Sequence, residues 1–255
     1  MAQGGQARKV KAVQTACDIL EVLQDREKAG VTEIAQEVGR TKGSVHIQLS
    51  TLESNELIVG TNGEYRLSLR FIDLAETVKE NFGLIPKAET ELQKLADTTG
   101  EKAQFGTLEH GRMVYLSKAT GENAVLSASR PGKRVEMHAT ALGKAMLAHL
   151  PENQVDEIID QHGLTQHTKH TVSDRQELKE ELDKIREQGF ALDDQELIDG
   201  LRCIAAPILL DEETVVGSIS VTGPSSRIKG TRFHTELPES VTDAAHIIGI
   251  NIKLS

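Results

Sequence analysis

Apolar positions recur with a helical period at the start of the chain, alternate strand-like in its middle, and return to a helical period at its end. Val13, Ala16, Cys17, Leu20 and Leu23 share one face of a helix predicted over 10–27, which makes Cys17 a small core residue. Residues 31–57 read as two short helices joined by a tight turn. Ile34, Ala35 and Val38 give the first an apolar face. Gly39 ends it, because glycine accepts the left-handed conformation common at helix C-termini. Thr41 is placed to cap the second, along which Val45, Leu49 and Leu52 recur at helical spacing. The other side of that helix shows Lys42, Ser44, His46, Ile47 and Gln48.

Two amphipathic helices with a glycine turn also occur in many all-helical domains. The next stretch narrows the choice. Two short runs, 57–59 and 64–67, flank Asn62-Gly63, a pair suited to the positive φ angles of a tight hairpin. Helix, helix, turn, helix, hairpin is the order of a winged helix-turn-helix. A short helix with small polar and basic groups near its N-terminal end suits the major groove of duplex DNA. Arg40 and Thr41 enter that helix, and Thr61 and Asn62 form a wing tip able to meet a phosphate or the minor groove. The helix over 69–81 carries Phe71, Ile72, Leu74, Ala75 and Val78, an apolar surface that predicts pairing with a second copy or docking on the next domain. Pro86 disfavours helix in the residue before it. The expected division is a winged unit over 1–68, a linker helix over 69–85 and a second domain over 86–255.

In that second domain a helix from Pro86 stops near Gly100. Strands follow over 103–108 and 113–116, joined at His110-Gly111, and a further pair over 124–128 and 134–137 around Arg130-Pro131-Gly132. Helices are predicted over 140–149, 152–161 and 174–187, the last capped by Ser173 and closed by Gly189. Apolar strands over 203–210 and 214–221 and a closing helix over 234–252 complete it. Helices on one side of a mostly antiparallel sheet make an α+β, sensor-like domain.

Composition changes the picture in three places. A net charge of −10 argues against a nucleic-acid partner, because affinity comes largely from neutralised phosphates. Only the contacting face must be positive, however, and Arg8, Lys9, Lys11, Arg40 and Lys42 all fall near the helix pair. The longest apolar run, over 203–210, contains a proline and falls short of the ~20 residues that span a bilayer. No apolar signal region follows the basic N-terminus, and the two cysteines, Cys17 and Cys203, lie far apart. A reduced, cytoplasmic setting without membrane attachment is expected. His162, His167 and His170 sit close together, but their spacing matches no strong metal pattern, so a solvated loop without metal or cofactor is expected.

Small polar groups at Cys203, Ser220 and Thr222, an acid at Asp193, and Ala141-Leu142-Gly143 ahead of a short helix have the makings of a ligand pocket. Catalysis is not expected. Arg202 adjoins Cys203, but strand neighbours point to opposite faces, and no histidine is tied to the thiol by a motif.

Three stretches then carry a family likeness. They are the helix-turn-helix, the run His138-Ala139-Thr140-Ala141-Leu142-Gly143-Lys144-Ala145, and the run Gly189-Phe190-Ala191-Leu192-Asp193-Asp194-Gln195-Glu196 continuing to Gly200-Leu201-Arg202-Cys203-Ile204-Ala205-Ala206-Pro207. Residues 218–224 and Arg227 complete the last pattern. The chain resembles the IclR family of transcriptional regulators over nearly its whole length. The resemblance implies an N-terminal winged helix-turn-helix on operator DNA and a C-terminal GAF-like domain holding a small metabolite. That metabolite would be a carboxylate, a sugar acid or an aromatic acid, and the protein would work as a dimer or a dimer of dimers. It also implies effector contacts at Ala141, Leu142, Asp193, Cys203, Ser220 and Thr222, at Val135 and Leu201, and more loosely at Ala124 and Ser127. One position departs from the family. Where an arginine often follows the recognition-helix histidine, this chain has Ile47. Direct readout would then rest on Lys42, Ser44 and Gln48, with Ile47 touching a thymine methyl. The rival readings are an enzyme of small acids that carries a winged helix, and a winged-helix protein-interaction module.

Overall fold

The computed structural model describes residues 9–125, 129–211 and 214–254, and divides the chain into two units, the first ending at Phe82 and the second starting at Gly83. That division falls inside the stretch that the sequence assigns to a linker helix.

The first unit runs α1 (Lys11–Arg26), β1 (Ala29–Gly30), α2 (Val31–Glu37), α3 (Lys42–Ser54), β2 (Ile58–Thr61), β3 (Glu64–Leu67) and α4 (Arg70–Asn81). Its core joins Ile19 and Leu23 of α1, Ile34 and Ala35 of α2, Val45, Leu49 and Leu52 of α3, and Ile58 of the hairpin. The buried stripe of α1 follows Thr15, Ile19 and Leu23, one position round from the expected one. Cys17 is therefore exposed, and so is Val13. The apolar side of α1 is wider than the surface available to cover it, and the i, i+4 row through Ile19 makes the contact.

Local rules hold well at the turns. Gly39 adopts φ +63° between α2 and α3, and Thr41 Oγ1 accepts from the Ser44 amide at 3.3 Å. Asn62 and Gly63 take φ 54° and 82°, so Thr61 pairs with Glu64 and Ile58 with Leu67 across a two-residue turn. The short β1 pairs with β3 and completes a three-stranded sheet. No residue of α4 is buried, and Ile72, Leu74 and Val78 are all exposed.

The second unit contains α5 (Ile85–Thr99), β4 (Lys102–Glu109), β5 (Arg112–Thr120), β6 (Arg134–Val135), α6 (Ala141–Leu147), α7 (Glu152–His162), α8 (Arg175–Gln188), β7 (Ala191–Asp194), β8 (Leu201–Leu209), β9 (Val215–Pro224) and α9 (Leu237–Lys253). A single π-helical turn, Arg232–Glu236, leads into α9. The sheet order is β6-β5-β4-β9-β8-β7, with every pairing antiparallel.

Three local expectations change. Ala124 and Val125 belong to no strand, and the remainder of 124–128 lies outside the described residues. Asp174, not Ser173, caps α8: its Oδ1 accepts from the Gln176 and Glu177 amides at 2.8 and 3.0 Å. β7 was not expected as a strand, because its four residues are too few to establish a period.

Helices also cover both faces of the sheet, not one. Cross-strand partners share a face, so Gln104, Ser220 and Ala205 point to one side and Phe105, Ile219 and Ala206 to the other. α6, α7 and α8 pack on the first side, in a core with Met113, Tyr115, Ala191 and Ala205. α5 and α9 pair with each other and lie on the sheet as well.

Candidate functional site

Two places gather the residues singled out in the sequence. The first is the outer side of α3. Arg40, Thr41, Lys42, Ser44, His46 and Ile47 are exposed, Gln48 is half-buried, and the wing tip shows Thr61 and Asn62. At 3.6 residues per turn, Ile47 sits opposite the buried row Val45, Leu49 and Leu52, with its side chain 67% exposed. Gly43, Ser44, Ser50 and Thr51 surround it on that face. His46 lies to one side of it, and exposed Lys42, at the first position of α3, lies nearer the buried row. Gly43, Ser50 and Thr51 were not singled out from the sequence, although a helical projection of the buried row would have found them.

The second place is a small pocket, partly open to solvent, at one end of the sheet face that carries α6. Val135, Asp193, Leu201, Cys203 and Thr222 line it, as the sequence suggested. Gln104, Tyr115, Ser129, Lys133, Leu197 and Ile198 line it too, and were missed. For Gln104 a signal was available: it is a polar residue flanked by Ala103 and Phe105 in a predicted strand, and it faces Ser220.

Four of the suggested residues do not open onto the pocket, and one cannot be placed. Ser220 is buried and not part of the lining, and Ala124 lies in the loop after β5. Ala141 and Leu142 belong to the core. The start of α6 is closed as an anion site, because Thr140 Oγ1 takes the Gly143 amide at 3.0 Å and the Met137 backbone packs against Gly143. Ser127 lies outside the described residues.

The polar wall of the pocket is one connected network. The Cys203 thiol lies 3.0 Å from Thr222 Oγ1, whose hydroxyl donates to Gln104 Oε1 at 3.4 Å. Asp193 Oδ1 accepts from the Glu196 amide at 2.7 Å, which fixes the loop bearing Leu197 and Ile198. Thr171 Oγ1 and Thr168 Oγ1 hold the same loop from outside, donating to the Glu196 and Gln195 carbonyls at 2.6 and 2.8 Å. Behind it, fully buried Lys144 reaches Glu181 and Glu196, each at 2.5 Å.

Burial sets the charge states. It pushes the Asp193 carboxyl up to about 6 against the pull of the Glu196 amide and Lys144, and the Glu196 carboxyl up to about 7. Burial also opposes the charge on Lys144, but the two glutamates hold its ammonium above the usual lysine range. The Cys203 thiol is pushed well above its ordinary range, again by burial first and then by Asp193. A protonated thiol beside a carboxyl that titrates near neutral offers a ligand a weak donor and a switchable donor or acceptor.

The three clustered histidines turn to different partners. The His162 ring meets the His110 carbonyl at 2.8 Å, His167 pairs with Glu136 at 2.9 Å, and the His170 amide donates to Thr168 Oγ1 at 3.1 Å. Among the described residues no group of three or more His, Cys, Asp or Glu side chains is arranged to hold a metal ion. No described helix is long and apolar enough to cross a membrane.

The family model described as bacterial transcriptional regulator IclR C-terminal matches residues 76–249. The chain belongs to the IclR family of transcriptional regulators. A second family model, HVO_A0114, matches residues 14–71. The probable HTH-type transcriptional regulator ArcR of Halobacterium salinarum is 29% identical over 99% of this chain and 97% of its own length. The HTH-type transcriptional regulator KdgR of Dickeya chrysanthemi is 31% identical over 95% of this chain and 80% of its own. Among solved structures, the IclR of Thermotoga maritima aligns with a TM-score of 0.76 at 25% identity, covering 95% of this chain and 99% of that one. This IclR-family chain is thus a DNA-binding regulator with an α+β, GAF-like second unit.

Proposed function

We propose that this IclR-family regulator reads operator DNA with the outer face of α3 and the wing tip, and that a small acid in the second unit's pocket controls that binding. The observation that carries the reading is the exposed polar face of α3 beside a hairpin whose turn is fixed by Asn62 and Gly63. Arg40, Thr41 and Lys42 serve the phosphates. Ser44, His46, Ile47 and Gln48 serve the base edges, and Thr61 and Asn62 the neighbouring groove.

The controlling ligand is a carboxylate, a sugar acid or an aromatic acid. The pocket supports this class, because Lys133 lines it together with the Asp193, Cys203, Thr222 and Gln104 network and with apolar Val135, Leu197 and Leu201. Burial keeps the Cys203 thiol protonated, so it meets the ligand as a weak donor and not as a thiolate nucleophile. Two copies pair through the apolar side of α4, and the ligand acts by its different affinity for two spacings of the reading heads. A palindromic operator with half-sites about one helical turn apart follows.

Fluorescence anisotropy on duplexes from the gene's own upstream region tests the reading. Salt-dependent binding is expected, with Lys42→Ala weakening all sequences and lowering the salt slope by about one. Binding that ignores both salt and Lys42 would reject it. Thermal-shift screening against hydroxy acids, sugar acids and aromatic acids tests the pocket, and Asp193→Asn or Thr222→Ala is expected to abolish any shift.

A further inference from the structure

We infer that Ile47 is a base-reading residue for the 5-methyl group of a thymine, and that each half-site of the operator carries a thymine at the position beneath it. The inference rests on the reading that α3 enters the major groove, and adds which base chemistry that helix selects.

Ile47 stands on the one line of α3 that points straight away from the core. At 67% exposed, it is a large β-branched hydrocarbon held in water. Nothing in the first unit covers it, whereas every other large apolar residue of α3 is buried. Its position is well defined: the Thr51 hydroxyl donates to the Ile47 carbonyl at 2.9 Å one turn on, and the helix is capped at Thr41.

The surroundings explain how such a side chain would be used. Its helical neighbours at three and four positions on either side are Gly43, Ser44, Ser50 and Thr51, all small. Gly43 is the informative one. A methyl group added there would meet nothing within 4 Å, so no contact inside the protein requires glycine. Glycine within a helix costs stability relative to alanine, which points to a demand from outside. A surface that must approach the helix backbone closely would make that demand, and the edge of a groove is such a surface.

An aliphatic knob on a low floor fits the thymine methyl, the one apolar group that base pairs present in the major groove. A residue meant only for phosphates would be polar. One meant for guanine would be arginine or lysine, whose donors reach O6 and N7. Gln48, next along the helix, can pair with an adjacent adenine.

The test uses the full chain and random-sequence duplexes carried through repeated selection, with the wild type and Ile47→Ala in parallel. Ile47 makes no core contact, so the variant is expected to fold, with an unchanged melting temperature as the control. The wild type is expected to enrich a thymine at a fixed place in each half-site, and Ile47→Ala to lose that preference. Replacing that thymine by uracil removes the methyl alone. It is expected to weaken wild-type binding about fourfold per site, the worth of one buried methyl, and to leave Ile47→Ala unaffected. Equal binding of thymine and uracil duplexes by the wild type overturns the inference while leaving the DNA-reading function standing. Failure to enrich any sequence overturns both.

A second variant tests the close approach. Gly43→Ala is expected to melt no lower than the wild type yet bind the selected duplex more weakly. Unchanged affinity would show that the helix backbone stays clear of the groove.

Discussion

Glu53 in the last turn of α3 accepts the amide of Gly60 in β2 at 3.0 Å, so its carboxylate ties α3 to the hairpin. A Cβ on Gly60 would stand 2.8 Å from that carboxylate oxygen and 3.0 Å from the Tyr65 ring, which explains the glycine. Helix α3 and the hairpin, the two elements proposed to meet DNA, are thereby held together by a bond outside the hydrophobic core.

Glu53→Ala removes that tie at an exposed site. The expected cost to folding is small, about 1 kcal/mol. The wing loses its fixed angle to α3, and operator affinity is expected to fall several-fold. Paired melting and anisotropy measurements check this; a loss of affinity no larger than the loss of stability explains would count against the coupling.

Lys144→Met leaves Glu196 and Glu181 without their buried cation. Breaking a buried pair on one side costs about 3–5 kcal/mol, so urea unfolding is expected to shift strongly downward. Adding Glu196→Gln to Lys144→Met removes the orphaned charge and is expected to restore part of the loss. A double variant no better than the single one would mean that the ammonium does not serve to balance Glu196.

Asp193 and Glu196 give the second unit a pH dependence with a definite sign. Their folded pKa values, about 6 and about 7, lie above the ordinary carboxyl range. Between that range and the raised values the folded chain holds protons that the unfolded chain has released. Their contribution therefore favours folding at low pH and is lost as pH rises through about 4 to 7. Asp193→Asn keeps an acceptor for the Glu196 amide but cannot ionise. It is expected to gain stability over the wild type by about 1–3 kcal/mol between pH 5 and pH 8. Melting curves at the two pH values decide the sign, and a constant difference would mean that Asp193 titrates normally.

The exposed face of α4 makes a prediction about assembly. Ile72→Asp with Val78→Asp touches no buried residue, so secondary structure is expected to survive. Sedimentation is expected to show smaller particles than the wild type, and operator affinity to drop as paired half-sites are no longer held together. Unchanged particle size would place the contact between copies elsewhere.

The sequence on its own determined the parts governed by short-range rules. The Asn62-Gly63 turn, the Gly39 break, the Thr41 cap and the Val45, Leu49, Leu52 row each depend on a few neighbouring residues, and each appears in the structure where the pattern puts it. The family likeness was legible because its motifs are local strings. Tertiary structure alone decided which apolar side of α1 is covered, because Val13 and Ile19 have similar hydrophobicity and only a facing partner separates them. It likewise decided that helices lie on both faces of the second sheet, and that Gln104, Tyr115, Lys133 and Leu197 share a pocket with Asp193 and Cys203. Those residues come from strands and loops far apart in the chain, and no period along a sequence encodes which strand ends meet. The pair of glutamates that keeps Lys144 charged despite its burial, and the burial that raises the pKa of Asp193, belong to the same class: charge state follows the surrounding groups and dielectric, which exist only once the chain has folded.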